Sequence, residues 1–165
     1  MADTLLPQDI VQLAQRVVEK NAAIGRKIVL AESCTGGLVA AALTEIAGSS
    51  QVLDRGFVTY SNESKTADLG VASDLIEAFG AVSIACVYAM AQGALARSNA
   101  DVAVAISGIA GPDGGSVQKP VGTVVFARAL RDQEQPEAEE RVFAGESRSG
   151  VRRQATLCAL ELLLP

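Results

Sequence analysis

Apolar positions change their spacing several times along the chain, and the changes outline its elements. Ile10, Leu13, Ala14, Val17 and Val18 recur at helical spacing, with Pro7 ahead of them and Gly25 beyond, which predicts a first helix. Ile28 to Ala31 is a short continuous apolar run, the pattern of a strand buried on both faces. A helix over 37–47 follows and stops at Gly48, and Phe57 to Tyr60 reads as a second strand. Asn62 is placed to cap a short helix ending at Gly70, Ser73 a helix to Phe79, and Ser83 a longer one over 84–98. Asp101 to Ile106 and Val121 to Leu130 predict two more strands, separated by a glycine-rich loop over 107–120. Residues 131–140 are polar and read as an exposed turn, followed by a strand near 141–144 and a helix from about Ser149 to Leu163. Helices alternating with continuous apolar strands predict an α/β domain, a parallel or mixed sheet covered on both faces. No repeat or linker interrupts the pattern, so residues 1–165 read as a single domain.

Composition narrows the classes. At 165 residues and 49% apolar content, the chain is long enough for one full core. A net charge of −5, only 4% aromatic residues and no Trp argue against a nucleic-acid surface or a stacking platform. Three widely separated cysteines, Cys34, Cys86 and Cys158, suit reduced thiols and a cytoplasmic location. With no histidine and no paired cysteine spacing, no metal site is expected. The N-terminus lacks a basic segment followed by a long apolar core, so no signal peptide is expected. No apolar run approaches the roughly 18 residues needed to span a bilayer, so no membrane partner is expected either.

The absence of histidine matters most at Ala31-Glu32-Ser33-Cys34-Thr35-Gly36-Gly37, where an apolar strand enters a helix. A serine in such a turn sits beside free helix-start amides that can face a developing oxyanion. Its usual imidazole base is missing. The same residues also suit an ordinary turn, with Ser33 or Thr35 as helix cap. Cys34 is a second nucleophile candidate, but thiol enzymes generally rely on histidine. A further polar cluster, Thr59 to Lys65, follows the second strand and holds the remaining candidate base. Lys65 can accept a serine proton if burial lowers its pKa, and Tyr60 can relay the proton or orient the amine. A solvated lysine on a helix face is the ordinary alternative. Ser107 to Gly115 is glycine-rich at a strand end, suited to close backbone approach to a ligand or to a plain flexible connection. Arg148, Arg152 and Arg153 gather at the start of the last helix, where cations oppose the helix dipole, which points to an anionic ligand, a carboxylate or a solvated patch.

Taken together and in order, Ala31–Gly37, Thr59-Tyr60-Ser61-Asn62 with Lys65, Gly80–Ser83, Ser107–Pro112 and Lys119–Gly122 resemble the CinA C-terminal domain family, the nicotinamide-nucleotide amidohydrolases. The resemblance spans about residue 7 to 163. It implies a three-layer α/β/α sandwich with a mixed, mostly parallel sheet, often dimeric. It also implies hydrolysis of nicotinamide mononucleotide to nicotinic acid mononucleotide and ammonia, a small-molecule nucleotide salvage step. Ser33 becomes the expected nucleophile, Lys65 its base and Tyr60 an assistant. Ser50, Ser107 and Arg148 become expected substrate contacts, with Gly108 in the glycine-rich loop, and the amides of Gly36 and Gly37 candidate oxyanion donors. No cofactor is implied. At this length the chain is expected to be the stand-alone form, without the larger N-terminal domain that some members carry. Asp113 stands where the pattern has glycine, and Phe79 where histidine is common. The rival expectations are a nucleotide-binding regulatory module that keeps the pocket without using it, and a competence- or damage-associated factor acting on DNA.

Overall fold

Strands buried on both faces make up the centre of the sheet. The structure is a computed structural model and describes residues 3–165. Five strands, β1 (Ile28–Glu32), β2 (Leu53–Val58), β3 (Val102–Gly108), β4 (Thr123–Leu130) and β5 (Glu137–Val142), lie in the order β2-β1-β3-β4-β5. β1 pairs in parallel with both β2 and β3, while β4 and β5 complete the sheet as antiparallel strands. The sheet is therefore mixed, with a parallel part that carries the connections.

Alternate residues of the central strands feed two cores. On one face, Ile28, Leu30, Val104, Ile106 and Phe126 pack against α1 (Gln8–Ala23), α2 (Leu38–Thr44) and α6 (Arg148–Leu162). On the other, Val29, Ala31, Ala103, Ala105 and Ala127 pack against α3 (Asn62–Leu69), α4 (Ser73–Phe79) and α5 (Ile84–Ala96). The result is a three-layer α/β/α sandwich. The second face is lined mostly by alanine, and this lets α5 lie close to the sheet.

The connections fix where a ligand site can form. β1 continues through α2 on the first face to β2, and β2 returns through α3, α4 and α5 on the second face to β3. The connection from β1 to β2 and the crossover from β2 to β3 thus lie on opposite faces and run in opposite directions along the sheet, and the carboxyl end of β1 is the switch point where α/β sheets form their crevice. Ser33 follows β1 at that point, Thr59 follows β2, and the glycine-rich loop follows β3.

Several local expectations are corrected. The polar run expected to form a turn does so over 131–136, but its last four residues are strand: β5 begins at Glu137, not near residue 141. Being an edge strand, exposed at every residue but one, it lacks the apolar alternation that would mark it. β2 likewise starts at Leu53 and ends before Thr59, because Asp54, Arg55 and Gly56 sit on the opposite, exposed edge. α3 is capped by Ser61, whose Oγ accepts from Ser64 N at 3.1 Å, so Asn62 is its first residue rather than its cap. At α4 the cap position belongs to Ala72, and Ser73 lies inside the helix. The Ser83 cap of α5 is as expected, accepting from Cys86 N at 3.1 Å.

Gly93 marks a very close approach of α5 to the end of α3 within the second helical layer. A Cβ placed on this α5 residue would lie 2.0 Å from the Leu69 carbonyl oxygen at the end of α3. In an open helix, Gly→Ala gains about 1 kcal/mol of helix propensity. Here overpacking reverses the sign, so Gly93→Ala should lose roughly 1–3 kcal/mol or more. Urea unfolding of the two proteins checks this, with a lower midpoint expected for the variant.

Candidate active site

Lys65 is among the largest fully buried side chains in the protein, at 1% exposure, although its helix α3 is otherwise polar. The Ser61 cap starts α3 immediately after β2, so that the fourth helical residue points back under the sheet edge toward β1. There Nζ lies 3.0 Å from Ser33 Oγ, 2.7 Å from the Thr59 carbonyl oxygen and 3.2 Å from the Tyr60 carbonyl oxygen. Charged, the ammonium donates to all three. Neutral, the amine keeps its two N–H bonds to the carbonyls, and its lone pair then faces the Ser33 hydroxyl, which donates to it. Burial disfavours the charged form and holds the Lys65 pKa below the ordinary lysine value, against a smaller opposing influence of Cys86 and Cys34.

Ser33 is itself nearly buried, at 7% exposure, and its backbone is held on both sides. Its N–H donates to the Ile106 carbonyl at 3.0 Å, and its carbonyl accepts from Gly36 N at 2.9 Å. Cys34, next in sequence, points toward Gly108, where any Cβ would fall 2.8 Å from Val124 and 3.1 Å from the Cys34 sulfur. The strand end must therefore be glycine for this turn to seat. Burial pushes the Cys34 thiol up to about 11, which leaves it protonated near neutral pH and removes it as a rival nucleophile.

Ser33, Tyr60, Lys65, Ser107, Gly108 and Arg148 line one cavity of about 320 Å³, with the glycine-rich loop forming its far wall. Arg148, the first residue of α6, donates to the Gly111 carbonyl at 2.6 Å and to the Tyr60 hydroxyl at 3.2 Å. Both partners are uncharged, so its positive charge remains available to an anion in the cavity. Asp113 also lines this wall, and so does Asn62. The sequence does not mark either as a contact, since loop composition alone does not fix which side chains turn inward.

Three expected residues are not brought to the cavity within this chain. Gly36 and Gly37 lie off its wall, and the Gly36 amide is already committed to the Ser33 carbonyl, which removes it as an oxyanion donor. Ser50 sits in a short 3₁₀ turn, Ser49–Gln51, ahead of β2 and so at the opposite end of the parallel strands from Ser33. Phe79, exposed at the end of α4, is also away from the wall. The arginine cluster divides into separate tasks. Arg148 faces the cavity, Arg152 donates to the Cys34 carbonyl at 3.1 Å and the Thr35 carbonyl at 3.4 Å, and Arg153 pairs with Asp9.

The sandwich and a buried serine–lysine pair at the sheet's switch point define an α/β/α domain with a hydrolase-like pocket. The family model for the CinA C-terminal domain matches residues 10–165, and the chain belongs to that family. It is 52% identical over 155 residues to the nicotinamide-nucleotide amidohydrolase PncC of Escherichia coli K12, covering 94% of this chain and 93% of that one. It is 48% identical to PncC of Pseudomonas putida, covering 94% and 95%. Among solved structures, the competence/damage inducible protein CihA of Agrobacterium tumefaciens superposes with a TM-score of 0.94 at 48% identity, covering 98% and 97%. A CinA superfamily protein of Klebsiella pneumoniae superposes at 0.88 with 41% identity, covering 94% and 96%. Among the described residues, no group of His, Cys, Asp and Glu is arranged to hold a metal, and no helix is long and apolar enough to cross a membrane.

The raised Cys34 pKa carries a direct test. Incubation of the folded protein with iodoacetamide near pH 7.5 should leave Cys34 unmodified by mass spectrometry, whereas urea-unfolded protein should be alkylated there. Rapid labelling in the folded state would contradict the protonated, buried thiol.

Proposed function

We propose that the protein hydrolyses the carboxamide of nicotinamide mononucleotide to the carboxylate and ammonia, through an acyl-enzyme on Ser33. The observation that carries this reading is the 3.0 Å contact between Lys65 Nζ and Ser33 Oγ, with the other two lysine contacts taken by carbonyls. The PncC relatives, which carry this activity in their name, support the choice of substrate.

In this mechanism neutral Lys65 takes the Ser33 proton as the hydroxyl attacks the carboxamide carbon. The resulting lysinium returns the proton to the amide nitrogen, and ammonia leaves. Water, deprotonated in turn by Lys65, then attacks the acyl-serine ester; the acid departs and Ser33 is regenerated. Tyr60 assists through its backbone, since its carbonyl orients the amine, and through its hydroxyl, which steadies Arg148. Arg148 meets the nucleotide phosphate, with Ser107 and Gly108 on the wall beside it, and this anchoring holds the amide close to Ser33. The cavity is open to small substrates, and a second copy of the chain as a dimer partner is part of the same reading. The mechanism calls on no metal or cofactor.

The purified protein incubated with nicotinamide mononucleotide should release ammonia, and Ser33→Ala and Lys65→Ala should each lower kcat by at least about 10²-fold. Binding of the nucleotide without ammonia release would favour the regulatory module instead. The pH dependence follows from the direction of the lysine shift. Because burial lowers the pKa below the ordinary 10.5, the base form is populated at lower pH than for a free lysine. The rate kcat/KM should therefore rise with pH and reach its plateau before 10.5; a limb still climbing at that pH would contradict the role of Lys65.

A further inference from the structure

We infer that Glu32 is the positioning residue that sets the Ser33 hydroxyl against Lys65, by clamping the start of α2 to the end of β1. The inference rests on the reading of Ser33 and Lys65 as the reacting pair. Glu32 is the last residue of β1 and is 1% exposed. A buried carboxylate is tolerated only with its lone pairs satisfied. Here the two oxygens accept from Thr35 Oγ1 at 2.7 Å, Val39 N at 3.0 Å and Ala40 N at 3.1 Å.

Those bonds replace the usual arrangement at a helix start. The cap position of α2 is Gly37, which has no side chain to cap with, so the amides of Val39 and Ala40 would otherwise be unpaired in a mostly buried setting. The Glu32 side chain reaches over the turn and closes it into a ring that contains Ser33 and Thr35. Other contacts fix the outside of the same ring. The Glu32 carbonyl accepts from Thr59 N at 2.9 Å, and Arg152 on α6 holds the Cys34 and Thr35 carbonyls. Arg152 grips the turn by its carbonyls; Glu32 grips it by its hydroxyl and amides.

The carboxylate does not act as a counter-ion to the lysine. Its partners all lie in the turn and α2, while the polar contacts of Lys65 are Ser33, Thr59 and Tyr60. The negative charge is committed to the helix start and leaves the amine free to lose its proton. Glu32 therefore acts through geometry. Its loss lets the start of α2 and the Ser33 turn relax, and a shift of about 1 Å at a reacting atom is enough to cost on the order of 10²-fold in rate.

Glu32→Gln keeps the shape but presents an N–H₂ to an amide donor, and Thr35→Val removes one of the three bonds while leaving the carboxylate. With nicotinamide mononucleotide as substrate, Glu32→Gln should lower kcat by about 10- to 100-fold, with KM within about threefold, since the groups that hold the nucleotide are untouched. Thr35→Val should show a smaller loss in the same direction. The rising limb of the pH profile should stay in place. Exchange of the Val39 and Ala40 amides, followed by NMR, should quicken about tenfold or more in Glu32→Gln, since their acceptor is altered. Folded Glu32→Gln with wild-type kcat, a loss confined to KM, or a displaced pH limb would each overturn the inference. Should Glu32→Gln fail to fold, wild-type kcat in Thr35→Val overturns it. If the wild-type protein releases no ammonia, the proposed function fails separately. The amide exchange then still decides the clamp: quicker exchange in Glu32→Gln upholds it, and unchanged protection refutes it.

Discussion

An amine buried under the edge of a sheet is the constraint on which the rest of the site depends. Lys65 has almost no contact with solvent, and its bonds go to Ser33 and to two backbone carbonyls. Taking an ammonium out of water is costly, so such a position persists only where polar partners converge on it. The partners here come from the ends of neighbouring parallel strands. The carbonyls of Thr59 and Tyr60 follow β2, and Ser33 follows β1. The cost that burial places on the charged amine is also what makes a lysine usable as a base.

The serine side of the pair is held as firmly as the lysine side. The backbone of the Ser33 turn is bonded to β3, to itself and to the segment after β2, and its carbonyls are gripped by Arg152 from α6. Arg148, one turn earlier on the same helix, faces the cavity instead. A single helix thus braces the Ser33 turn with one arginine and turns the charge of another toward the cavity. This arrangement resolves why three cations sit at a helix start, where the dipole alone disfavours them. Each is offset by a specific acceptor or kept for an anion.

The central strands and most helices are legible in the sequence, because continuous apolar runs such as Ile28–Ala31 and Asp101–Ile106 match the pattern of strands buried on both faces. The two edge strands are legible only in part: each is expected, but with its start four residues too late. β5 is nearly all charged and β2 begins with Asp54, Arg55 and Gly56 close behind Leu53, so neither carries the pattern of a buried strand. In the site, the missing histidine leaves Lys65 as the one chemically suitable base, and the fold brings it to Ser33. Long-range geometry is out of reach of a local pattern. Gly36 and Gly37 follow the serine in sequence but turn away from the cavity, and Ser50 lies at the other end of the strands. Glu32 sits inside the recognisable motif, yet its role is visible only once its carboxylate is seen folded back on α2.

The proposed role of Lys65 requires that burial favour its neutral amine, whose lone pair then faces Ser33. A titration of protein labelled with ¹³Cε and ¹⁵Nζ lysine, followed by NMR, reads that state at the atom concerned. The Lys65 signals should change from the charged to the neutral form below the ordinary 10.5. Signals that stay in the charged form until pH 10.5 or above would contradict it.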